Sequence, residues 1–206
     1  MRVTFPRLAD HQRGYAVVER DDGVVYRLGS STTMGPDLPH DIRHLIVERE
    51  LRISDGIWGG IAAGTVYTSM SHLRGRRPPH TAQWKKAQPD GIMRAELLAS
   101  LVEAVAVLDD QSPAEINRLT REKLSVVPVT EPGMDPGDAI AVPPPAALAA
   151  AASALQVEAA RWARLRVGES LVYDWRPANP RGTARALRAV PRPRDGGTGQ
   201  RSPHRH

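Results

Sequence analysis

The chain has 206 residues, no cysteine and a formal net charge of +5. That length suffices for one domain with a real core, and the missing cysteine excludes disulfides, thiolate catalysis and cysteine-based zinc sites. No run approaches the ~18 apolar residues of a membrane span and Met1 to Pro6 contains no apolar signal core, so the sequence predicts a cytoplasmic protein with no membrane partner.

Residues 2–5 suit a short strand. Tyr15-Ala16-Val17-Val18-Glu19 and Val24-Val25-Tyr26-Arg27-Leu28 are β-rich runs. The Asp22-Gly23 pair between them signals a hairpin turn, because glycine accepts positive φ. The alternation of charged or aromatic residues with apolar ones fits a sheet with one solvated face. Gly29 to Pro36 reads as a polar loop. Its Ser30, Ser31, Thr32 and Thr33 suit a site wall and ordinary loop composition equally, and no G-x-S-x-G elbow marks a nucleophile there.

Chemistry-bearing side chains concentrate in Asp37 to Leu51. Asp37 is placed to cap a helix, with Pro39 early in it and Asp41 near the positive end of its dipole. Ile42, Leu45, Ile46 and Arg49 follow the three-and-four spacing of an amphipathic helix. His40, His44 and Glu48 form a second stripe at 100° per residue. Val47 and Leu51 flank that stripe, so it faces a half-buried cleft or a neighbouring element. Arg43 and Glu50 take the exposed side.

His40-Asp41-Ile42-Arg43-His44 reads H-D-x-x-H and resembles the H-E-x-x-H helix of zinc metallopeptidases over those five residues. The resemblance implies zinc on His40 and His44, with Asp41 where that family carries its general-base Glu. Asp is one methylene shorter. Glu48 is the second candidate for base or further ligand, but His40, His44 and Glu48 span about 12 Å of straight helix and do not easily meet one ion. His72, His80 and Glu96 are the downstream candidates for a third ligand. The alternative reading is an ordinary i,i+4 pair between His44 and Glu48, with Asp41 serving only the dipole. The wider pattern P-H-D-x-x-H-x-x-V-E, followed by W-G-x-I-A-A-G, resembles a family of uncharacterised small bacterial proteins over about residues 1–70; it implies no activity.

Ile57 to Tyr67 reads as a short helix whose Gly60, Ala63 and Gly64 allow close packing, against the preceding helix rather than in a membrane. Residues 71–90 read as a basic loop containing His72, His80 and Trp84. It is a solvated surface loop or a single-strand nucleic-acid contact. Ile92 to Leu108 is helical with a broad apolar face, and Glu96 and Glu103 are read as solvated. Ser112-Pro113-Ala114-Glu115 is a capping box that starts a helix to about Leu124. Residues 126–145, with six prolines, form a linker. Ala146 to Val167 is an Ala-rich helix ending at Gly168. Ser170 to Trp175 is a strand expected to return to the N-terminal sheet.

Residues 176–206 hold eight Arg against one Asp, whereas residues 1–175 hold 20 basic and 22 acidic side chains. All excess positive charge therefore lies in a Pro/Gly/Arg tail that the composition predicts to be disordered. Arg181, Arg185, Arg188, Arg192 and Arg194 are its candidate nucleic-acid contacts. Of the 28 basic residues 25 are Arg, which fits a GC-rich coding bias as well as phosphate affinity.

The sequence thus predicts an α+β domain over residues 1–175. Its small antiparallel sheet, the N-terminal hairpin plus the C-terminal strand, packs with about five helices. Three functions fit. First comes a non-enzymatic binding or interaction domain with a protein partner. Second is a zinc-dependent hydrolase with His40 and His44 as ligands and Asp41 or Glu48 as base. Third is a nucleic-acid-associated protein binding through the tail.

Overall fold

A computed structural model describes residues 1–76, 89–125 and 140–176. Five strands form one antiparallel sheet: β1 (Arg2–Pro6), β2 (Arg13–Glu19), β3 (Val25–Thr33), β4 (Met70–Arg74) and β5 (Ser170–Asp174), in the order β4-β3-β2-β1-β5. Among the described residues five helices accompany it: α1 (His40–Glu50), α2 (Ile57–Ala62), α3 (Pro89–Ala106), α4 (Pro113–Leu124) and α5 (Pro145–Arg164). The fold is α+β. Among the described residues no helix is long and apolar enough to cross a membrane.

The hairpin forms where Asp22-Gly23 marks it. Gly23 adopts φ +79°, its N–H donates to Arg20 O at 3.0 Å, and Asp22 Oδ1 accepts from Val24 N at 3.2 Å. Alternate residues of each strand turn inward: Val3 and Phe5 from β1, Ala16 and Val18 from β2, Tyr26 and Leu28 from β3, Leu171 and Tyr173 from β5. The expected return of the last strand occurs, with Val3 opposite Tyr173 and Thr4 opposite Val172. Trp175 N then donates to Met1 O at 2.7 Å. Sequence-distant ends therefore share one core.

Two strand boundaries differ from the sequence reading. β3 runs on to Thr33 through the expected polar loop, and β4 occupies the start of the expected basic loop. Both lack a run of β-favouring apolar residues and gain strand structure from pairing with a neighbour rather than from local propensity. The remainder of the basic loop, the linker over 126–139 and the tail lie outside the described residues.

α1 is wrapped on nearly all sides. Ile42, Leu45, Ile46 and Val47 are fully buried, and His44 and Glu48 are buried with them. α3 and α5 both pack on α1, while Phe5 of the sheet meets Trp58 of α2 edge-on at 5.7 Å. The expected cap by Asp37 does not occur. Pro39 holds the N-cap position, and no side chain bonds there. Ser112 does cap α4, its Oγ accepting from Glu115 N at 3.4 Å.

Candidate metal centre

α1 and α3 lie side by side and bring three donors together. His40 and His44, one helical turn apart, place their Nε2 atoms 3.2 Å from each other. Glu96 reaches over from α3, its Oε2 3.1 Å from His44 Nε2 and 3.8 Å from His40 Nε2. Donors held about 2.0–2.1 Å from a tetrahedral zinc are about 3.3 Å apart, so all three separations suit one small cation. His40, His44 and Glu96 are the metal-competent cluster among the described residues.

The two helices are fixed around this point. Arg43 of α1 donates to Glu103 of α3 at 2.9 Å. At the other end, Arg94 of α3 is bonded to Asp55 in the loop before α2. Gly91 packs so closely on the Asp55 backbone that a Cβ there would collide with it. Glu96 sits between these ties. Glu96 is exposed to solvent as read from the sequence, yet it also meets the two histidines, and Glu103 is half-buried in its pair with Arg43.

The electrostatics favour a ligand role for His44. Its side chain is 2% exposed. Burial, aided by the neighbouring His40, pushes its pKa down to about 4, so at neutral pH the ring is uncharged, the form that binds metals. Its 3.1 Å approach to Glu96 is then not an ion pair. His44 Nδ1 is buried without a hydrogen-bond partner. On the other ring, Asp41 Oδ1 lies 3.6 Å from His40 Nδ1, beyond hydrogen-bond length but on the side from which a carboxylate orients a ligating imidazole. Trp58 Nε1 donates to the Asp41 carbonyl at 3.2 Å and so holds the first turn of α1.

His40 and Asp41 open onto a cleft of about 600 Å³. Leu28, Ile57 and Ile92 supply apolar wall; Arg13, Ser30, Tyr67, Thr68 and Ser69 supply polar groups. The cluster thus borders the cleft through His40, while His44 is buried one turn further along the same helix face.

Glu48 lies elsewhere. Its carboxylate turns to the start of α2, where Oε1 accepts from Ile57 N at 2.9 Å and Oε2 from Trp58 N at 3.0 Å and Gly59 N at 3.3 Å. Burial pushes this carboxyl up to about 8, against the pull of the three N–H donors. Glu48 is therefore not brought to the histidine pair. Nor is His72, which sits in β4 with Nε2 3.0 Å from Gly75 O and its ring edge-on to Tyr26. His80 and the five tail arginines Arg181, Arg185, Arg188, Arg192 and Arg194 lie outside the described residues.

Of the three downstream ligand candidates, Glu96 alone joins the cluster among the described residues, and no local motif around it distinguishes it. Arg13 and Tyr67 carry no sequence signal at all. The chain matches no family model, no curated protein and no solved structure.

Proposed function

We propose that this protein is a divalent-metal protein of the zinc class. His40, His44 and Glu96 are its donors, and hydrolysis of a substrate held in the adjoining cleft is its chemistry. The single observation behind this reading is the convergence of two imidazole Nε2 atoms and one carboxylate oxygen at 3.1–3.8 Å beside an open cleft. Two His and one Glu are a donor set of catalytic zinc sites, which keep a further position open. A cation there would supply Lewis-acid polarisation and a more acidic water. The chain's own residues do the rest. His44 stays neutral through burial, Asp41 stands beside His40 as its orienting carboxylate or as a base, and Leu28, Ile57 and Ile92 shape an apolar wall for the substrate.

A second reading has one observation in its favour: the donors come from two helices, so a cation could equally serve as a clamp between α1 and α3 in a non-enzymatic binding protein. The tail-borne nucleic-acid reading gains no support from the described residues.

The test is zinc binding by the full chain, read by elemental analysis after dialysis and by the thermal midpoint with added zinc. One equivalent bound, and lost in His44→Ala and in Glu96→Ala while His204→Ala retains it, supports the centre. No bound zinc and no shift of the midpoint in the wild type overturns it. Zinc that raises the midpoint without turnover of any ester, amide or phosphoester substrate favours the clamp.

A further inference from the structure

We infer that the cleft recognises a small substrate through an oxyanion, a carboxylate or a phosphate, held by the Arg13 guanidinium. The inference rests on the metal-centre reading for where the substrate reacts, but the anion subsite stands on separate observations.

Arg13 opens β2 and lines the cleft, and it is the cationic side chain among the described lining residues. Three arginines of α1 and α3 are engaged: Arg43 with Glu103, Arg94 with Asp55 and Arg49 with Glu50. No carboxylate among the described residues pairs with Arg13. Its one positioning neighbour is the strand itself, where Arg13 stands opposite Thr33. A guanidinium presents a planar fork that matches a carboxylate or phosphate with two parallel N–H···O bonds.

The remaining lining supports the same class of ligand. Ser30, Thr68, Ser69 and Tyr67 offer hydroxyls beside Arg13 and the apolar wall. Burial raises the Tyr67 phenol to about 12, so its O–H stays a donor at neutral pH. Asp41 and Glu96 put negative charge near the histidines, which repels an anion from that part of the cleft in the metal-free protein and leaves Arg13 as its natural seat. An anionic group at Arg13, an apolar body against Leu28, Ile57 and Ile92, and a scissile bond toward His40 describe an acylated amino acid, or an ester or amide that carries a separate phosphate.

The experiment uses the full chain, metal-free and zinc-loaded, and two matched probe pairs titrated by calorimetry. N-acetyl-leucine is compared with N-acetyl-leucinamide, and benzyl phosphate with benzyl alcohol. In the metal-free wild type the anionic member of at least one pair should bind about tenfold or more tighter than its neutral partner. Arg13→Gln should abolish that preference with an unchanged thermal midpoint, and the tail control Arg194→Gln should keep it. Preference confined to the carboxylate pair assigns an acyl-amino-acid-like substrate, and preference confined to the phosphate pair a substrate that carries a phosphate as its recognised anion. Equal binding of charged and neutral probes, absence of binding by all four, or a preference that survives Arg13→Gln overturns the inference. Because the metal-free protein is measured first, loss of the anion subsite and loss of the metal centre give different results.

Discussion

Glu48 Oε2 accepts a hydrogen bond from the backbone N–H of Trp58 at 3.0 Å, across the turn that joins α1 to α2. With Ile57 N and Gly59 N bonded to the same carboxylate, one side chain of α1 caps the first turn of α2. Replacing Glu48 by Ala leaves these donors without their acceptor in a buried place. Each buried unsatisfied group costs about 1–3 kcal/mol. Glu48→Ala should therefore lower the unfolding free energy by about 3 kcal/mol or more, read by urea denaturation. Zinc stoichiometry should stay the same, because Glu48 faces away from His40 and His44. A loss below about 1 kcal/mol contradicts the capping role.

The pKa of His44, lowered from 6.5 to about 4, gives the metal-free protein a pH-dependent term. Between these values the unfolded chain binds the proton more readily than the folded one. Stability contributed by neutral His44 is thus complete above about 6.5 and is lost as the pH falls through 4. A shift of this size corresponds to about 3 kcal/mol at its limit. Glu48, raised to about 8, acts in the opposite direction, its contribution falling as the pH rises from 4.5 to 8. The diagnostic quantity is therefore the difference between wild type and His44→Asn. That difference should narrow as the pH drops from 6.5 to 4. A constant difference over this window rules the assignment out.

Glu96 and Asp41 should separate in a zinc titration. Glu96→Ala removes a donor and should weaken zinc binding by at least about a hundredfold, whereas Asp41→Asn removes only a carboxylate behind His40 and should cost about tenfold. If Asp41→Asn instead abolishes turnover with affinity intact, Asp41 acts as base. Equal affinities in wild type and Glu96→Ala would exclude Glu96 as a ligand.

Two glycines should respond differently to alanine. A Cβ on Gly59 would run into the Ser54 backbone, whereas one on Gly23 meets nothing within 4 Å and suffers only from φ +79°. Gly23→Ala should cost about 1–2 kcal/mol, the penalty of a left-handed residue. Gly59→Ala has no flexible side chain to displace and should cost more, which thermal denaturation of the pair can rank.

The local pattern carried much of the fold. The Asp22-Gly23 turn, the alternating strands on either side and the Ser112-to-Glu115 capping box depend on neighbours in sequence, so the chain declared them directly. β4 and the second half of β3 were illegible for the converse reason. Ser30–Thr33 has no apolar residue and Met70–Arg74 only Met70 and Leu73, and they become strands through pairing with β2 and β3 respectively.

The candidate site divides along the same line. His40 and His44 share a helix face by virtue of their four-residue spacing, so the sequence by itself determined that pair. It also determined that no cysteine could join them. It could not choose between Glu48 and Glu96. Glu48 continues the stripe, yet one further turn of rigid helix carries its carboxylate to α2. Glu96 is 52 positions from His44 in the chain and arrives only because α3 packs against α1. Helical spacing fixes angles within one element, whereas meeting a common point from two elements requires the packing of the core, and only the tertiary structure decided that.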